Sequence, residues 1–154
     1  ASAVLQIIDD EKLSDASKTK GARLLQKLHG RLSGHPLVRE IRGRGLFVGI
    51  ELGPTDKGGL LHRALPGMVE AVSKHIFGQW LAVRLLEEGV VAQPASQQWN
   101  VLKLEPPLTV TDDEIDTVVA KIGKLLDQYR EVGPIVRDAT ERLGKQALGG
   151  WRFG

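Results

Sequence analysis

The 154-residue sequence contains no cysteine. That excludes disulfides, thiolate metal sites and a cysteine nucleophile. Histidine is scarce too. His29, His35, His62 and His75 show neither an HExxH pattern nor a paired-ligand spacing, so no metal site is expected. Charge of one sign is nearly absent as a surplus. There are 21 basic residues against 19 acidic ones, dispersed along the chain, which is too thin a balance to attract nucleic acid. Aromatics are few, and only Phe47 lies beside the arginines at 39, 42 and 44, so no base-stacking platform forms there. No apolar run approaches the ~18 residues of a membrane span, so no membrane partner is expected. No charged-then-apolar leader with a cleavage site is visible either, and the expected location is the cytoplasm.

What remains is the composition of a globular protein, long enough to bury a core without staples. The first residues are unusual. The chain opens without methionine, directly into Ala1-Ser2-Ala3-Val4-Leu5-Gln6-Ile7-Ile8, which reads as mid-helix with no cap before it. The expectation is a piece of a longer protein.

Val4, Leu5 and Ile8, then Leu24, Leu25, Leu28 and Leu32, recur at helical spacing. Leu13-Ser14 marks a break, so one kinked helix or two consecutive helices fit. Ser33-Gly34-His35-Pro36 stops the run. Residues 37–41 and 46–52 alternate as strands, and Arg42-Gly43-Arg44-Gly45 reverses the chain between them. Residues 53–59 read as a loop. From about Leu60 to Glu88 the pattern is helical, with Val69, Val72, Ile76, Trp80 and Val83 on one stripe. Pro66-Gly67 and Gly78 are candidate interruptions, and Gly89 a stop. Val90-Val91-Ala92 and residues 101–104 read as short strands, the second ended by Pro106-Pro107. Thr111 and Glu114 make a capping box. The run Ile115, Val118, Val119, Ile122, Leu125, Leu126 and Tyr129 follows at helical period. A tail helix from about Pro134 to Leu148 carries Ile135, Val136, Ala139 and Leu143. Hairpins joined by helices predict an α+β fold: a small, mainly antiparallel sheet of about four strands with helices packed on one face.

Few residues carry a chemical signal. The cluster Gly43-Arg44-Gly45 fails as a dinucleotide loop, because position 48 is Val48 and the cluster precedes a strand rather than a helix. Carboxylates sit in runs, none of which reads as an acid/base pair, and the serines lack a nucleophile-elbow context. No catalytic, cofactor-binding or metal-binding residue is expected in the chain. One residue stands out. Alternation places Leu102 and Leu104 on one face of their strand, and Lys103 with Val101 and Glu105 on the other. Taken alone, Lys103 reads as a solvated strand residue.

Three segments carry more than periodicity. Residues 38–52, Val-Arg-Glu-Ile-Arg-Gly-Arg-Gly-Leu-Phe-Val-Gly-Ile-Glu-Leu, resemble the V-x-x-[IV]-R-G-x-G-L-[MF]-x-G-[IV]-E hairpin of class III (ornithine/acetylornithine-type) aminotransferases, pyridoxal-phosphate enzymes of fold type I. Leu86-Glu87-Glu88-Gly89-Val90-Val91 is similar to a segment that follows in that family. Residues 101–111, Val-Leu-Lys-Leu-Glu-Pro-Pro-Leu-Thr-Val-Thr, resemble its [IV]-[IL]-R-x-x-P-P-L-x-[IV]-[ST] strand and helix start. The motifs stand in the family's order over about residues 1–130. The tail and the stretch 60–79 resemble the longer putrescine-type members.

The resemblance implies the C-terminal small domain over 1–132, followed by a helical tail over 133–154. It implies a dimeric parent transferase that uses pyridoxal 5′-phosphate to move an amino group from an amine or amino acid to a 2-oxo acid. The family's Schiff-base lysine, pyridine-nitrogen aspartate and phosphate-binding groups belong to the large domain, and no segment here matches them. The isolated chain is therefore expected to be inactive and to bind no cofactor. Lys103 stands where the family usually has an arginine gripping the substrate carboxylate, which makes it the candidate substrate-binding residue. Lysine is a point charge and lacks the bidentate fork, so a diamine or ω-amine donor is the expected shift. The rival reading is a non-enzymatic ligand-sensing or protein-interaction domain, which fold alone does not exclude.

Overall fold

A computed structural model describes residues 2–55 and 66–149. Readings that fall on 56–65 and 150–154, and on the side chains of Val69, Val72 and Leu143, lie outside the described residues. The chain runs α1 (Ser2–Asp10), α2 (Leu13–Leu32), β1 (Val38–Arg44), β2 (Phe47–Leu52), α3 (Pro66–Glu87), β3 (Gln93–Pro94), β4 (Val101–Leu104), α4 (Asp112–Gln128) and α5 (Val132–Gly149).

The break near Leu13 separates two helices. Lys12 sits in the left-handed region at φ 49°, and its carbonyl starts α2 by accepting from the N–H groups of Asp15 and Ala16. The hairpin forms, but with a tighter turn than residues 42–45: β1 runs on to Arg44, and Gly45 takes φ 56° at the turn. Its tip is pressed against α2. A Cβ on Gly21 would stand 2.0 Å from the Gly45 carbonyl oxygen, so this crossing admits only glycine.

The sheet order is β1-β2-β4-β3, every pair antiparallel. One face carries Ile41, Val48, Ile50, Leu52, Leu102 and Leu104 into the core. Leu24, Leu28 and Leu32 of α2 and Phe77, Leu81 and Leu85 of α3 meet them there, and α4 closes the layer with Ile115, Val119, Ile122, Leu125 and Leu126. Period 2 on the strands and period 3.6 on the helices thus converge on one apolar layer, as the α+β reading requires.

Two local expectations need correction. The third strand does not occupy residues 90–92; the ladder begins at Gln93, opposite Lys103, with Pro94 opposite Leu102. Continuing that register sets Val90 opposite Pro106, which has no N–H to offer, so the pairing ends where β4 ends. Gly78 does not interrupt α3. It lies within the helix, where the backbone of Trp99 crosses it: a Cβ there would stand 1.9 Å from the Trp99 carbonyl oxygen. The helix begins at Pro66, where proline is tolerated in a first turn, and the stretch before it lies outside the described residues.

The α4 capping box is complete. The Glu114 N–H donates to Thr111 Oγ1 at 3.3 Å, and the Thr111 N–H donates to Glu114 Oε2 at 2.7 Å. His35 ties the other end of α4 to the sheet. It is buried, its Nε2 lies 3.1 Å from the Leu126 carbonyl, and its Nδ1 accepts the Leu37 N–H at 3.2 Å. Only the neutral ring, protonated on Nε2, satisfies both partners. Burial is the main reason its pKa falls below the ordinary 6.5, against the pull of the Leu126 hydrogen bond. An unfolded chain therefore takes up this proton before the folded one does. The stability His35 contributes is complete above 6.5 and is lost as pH falls from there toward the lowered folded value. Denaturant midpoints of wild type and His35→Gln, measured from about pH 7 to pH 5, should converge as wild type alone loses stability. A pH-independent gap between them would contradict this role.

Candidate substrate-facing surface

The face of the sheet opposite the core is mostly polar and partly exposed, with Val101 buried within it. Register alone builds it. Arg42 of β1 pairs with Gly49 of β2, Gly49 with Lys103 of β4, and Lys103 with Gln93 of β3, so these four form one row across the sheet. Glu40, Glu51 and Val101 form the row beside it.

Both cations of the first row are held in place. Arg42 Nη1 donates to Glu40 Oε2 at 2.6 Å and to Glu51 Oε2 at 3.0 Å. The Glu51 hydrogen bond is the largest cause raising the Arg42 pKa. Lys103 Nζ lies 3.0 Å from Glu105 Oε1, and the other oxygen of Glu105 accepts from Gln93 Nε2 at a long 3.5 Å. The Lys103 side chain is 30% exposed, so it is neither buried nor freely solvated. Its ammonium has three donors, and its contact with Glu105 is an ion pair. Gly49 leaves its flank clear, and a Cβ there would press on Val101 Cγ1 at 3.2 Å.

Alternation therefore placed Lys103 on the correct face. It also placed Glu105 beside it, without showing that the two pair. Gln93 was not legible as a neighbour, because reading β3 three residues early moved it out of register.

The chain matches the aminotransferase class-III family over residues 1–126. It is a class III aminotransferase sequence. It is 33% identical over 129 residues to a taurine–pyruvate aminotransferase of Bilophila wadsworthia, covering 80% of this chain and 26% of that protein. It is 28% identical over 150 residues to a diaminobutyrate–2-oxoglutarate aminotransferase of Rhizobium meliloti, covering 95% of this chain and 27% of that one. Among solved structures, an ω-transaminase variant from Pseudomonas jessenii superposes with a TM-score of 0.63 at 28% identity, over 80% of this chain and 25% of that one. The chain thus spans about a quarter of the length of the curated relatives it matches.

Class III aminotransferases depend on pyridoxal phosphate, and the apolar groove beside α4 does not fit that group. A groove of about 500 Å³ opens between α4, the turn after α3 and the end of β4. Its walls include Leu24, Val90, Val91, Pro106, Val110 and Ile115. Among the described residues Lys121 is the one lysine lining it, and its ammonium donates to the Glu88 carbonyl. No cluster of donors for a phosphate lines that groove among the described residues. Lys18, Lys20, Lys27 and Lys103, elsewhere on the surface, engage Asp15, the Leu108 carbonyl, Asp116 and Glu105. Among the described residues no group of three or more acidic or histidine side chains could hold a metal ion, and no helix is long and apolar enough to cross a membrane.

Proposed function

We propose that residues 1–132 are the C-terminal small domain, and 133–154 a tail, of a cytoplasmic, homodimeric aminotransferase of fold type I. Its parent moves an amino group from an amine or amino acid to a 2-oxo acid with pyridoxal phosphate. The family match and the quarter-length span support this reading. So do the names of the relatives, which pair amino donors with pyruvate or 2-oxoglutarate. In this reading the rest of the parent supplies the Schiff-base lysine and the phosphate-binding groups.

One observation carries the role of this piece: Lys103 is fixed on the mostly polar face of a sheet whose other face is buried in the core. A rigid strand backed by a packed layer aims a side chain more narrowly than a loop does. With its ammonium held beside Glu105, Lys103 presents N–H donors to a carboxylate of the substrate and orients it. This chain performs no bond-making step.

The test is covalent trapping. The 154-residue chain mixed with pyridoxal phosphate and borohydride should show no stoichiometric modification at a single lysine and no transamination. The complete parent should show both. Stoichiometric trapping with turnover by the 154-residue chain alone would overturn the reading.

A further inference from the structure

Helix α5 rests on a single stripe of α3. Trp80, Arg84 and Glu87 line that stripe at helical spacing, and among the described elements α5 packs against no other. The contact centres on Asp138. Its Oδ2 accepts from Trp80 Nε1 at 2.7 Å and from Arg142 Nε at 3.1 Å, and Arg84 Nε lies 3.9 Å away. Glu87 takes Arg84 Nη1 at 2.8 Å on one oxygen and Arg142 Nη1 on the other. Charges therefore alternate around a ring of Arg84, Glu87, Arg142 and Asp138, two from each helix.

The ring is imperfect. Arg84 Nε is buried and has no hydrogen-bond partner, since 3.9 Å is an ionic contact and not a hydrogen bond. Half-buried charges give back in desolvation much of what they gain in attraction. The apolar contribution of its described side chains is small as well. Among the described side chains of α5, Ile135 and Ala139 are buried, whereas α4 buries Ile115, Val119, Ile122, Leu125 and Leu126. The link from α4 is short and non-helical. Tyr129 is extended at φ −131°, and its ring meets the Trp80 indole edge-on at 4.7 Å. Nothing described in the sheet or in α2 depends on α5 being seated.

We infer that α5 is a detachable strap: it leaves and regains its seat on α3 as one unit, hinged at residues 129–131, with Asp138 as the latch, while the sheet and α2–α4 stay folded. Release bares the Trp80 indole and the Arg84 guanidinium. The matched family segment ends at residue 126, so the strap lies outside it and the inference does not rest on the functional reading. Local opening of this kind is expected where an element has few buried apolar contacts and one neighbour.

Hydrogen exchange of the 154-residue chain tests it, read by mass spectrometry over residues 135–147 and 115–126. In wild type the first segment should exchange at least ~tenfold faster than the second. Asp138→Asn leaves two arginines facing each other with only Glu87 between them, and Ile135→Ala removes the apolar anchor. Each should speed residues 135–147 by roughly a further tenfold and leave 115–126 unchanged. Equal protection of both segments in wild type would overturn the strap. So would a variant that speeds both segments together, or an Asp138→Asn chain whose α5 exchanges as wild type does.

Discussion

Replacing Gly78 by alanine should cost the 154-residue chain about 2–3 kcal/mol, the range of an overpacked interior. Intrinsic propensity points the other way, because alanine is worth about 1 kcal/mol more than glycine inside a helix. Geometry wins here. The added methyl would stand 1.9 Å from the Trp99 carbonyl oxygen, a backbone atom that cannot rotate aside. Moving it means moving the loop that sets β4. The next residue, Asn100, accepts the Leu52 N–H at 2.8 Å through its carbonyl, and its side chain donates to the Leu52 carbonyl at 3.2 Å. The β2–β4 pairing would therefore loosen with it. For a chain of this length the midpoint of thermal unfolding should drop by about 5–10 °C. Gly30→Ala is the matched control. Gly30 is exposed in α2, and a methyl added there would have nothing within 4 Å, so that change should stabilise by about 0.5–1 kcal/mol. Two variants with the same sign of effect would show that propensity, not the Trp99 contact, governs position 78.

Truncating Lys103 to alanine should lower kcat/KM of the complete parent enzyme for carboxylate-bearing substrates by roughly tenfold to a hundredfold. That corresponds to one charge-assisted hydrogen bond, about 1.5–3 kcal/mol. Uncharged amines should be little affected, because the ammonium then has no anion to hold. The loss should appear mainly in KM, as expected when a contact is made equally in ground and transition states. Lys103→Arg should favour carboxylates further, since its fork adds a second parallel hydrogen bond. The competing outcome is physical and distinct. If the Lys103 ammonium serves only Glu105, 3.0 Å away, both variants should stay within about twofold of the parent on every substrate, a change below ~0.5 kcal/mol.

Much of the fold was legible because its signals are local. The Thr111–Glu114 box and the apolar period after it define the start and face of α4 within a few residues, and the structure has both. The break at Leu13 and the glycine-bearing hairpin are equally local. Strand alternation put Lys103 on the mostly polar face for the same reason, since neighbouring side chains on a strand must point opposite ways.

Tertiary structure decided whatever depends on a partner far along the chain. Gly78 reads locally as a weak point in its helix, and Gly21 carries no local signal at all. The role of each is set by distant backbone, at Trp99 and at Gly45. The position of β3 followed from where β4 runs out of N–H groups, a matter of pairing register that no window around residues 90–94 contains. The latch at Asp138 joins α5 to residues more than fifty positions earlier. Composition and period specify which face of an element is buried; they do not specify which residue of another element lies against it, because that choice is made by packing of the whole layer.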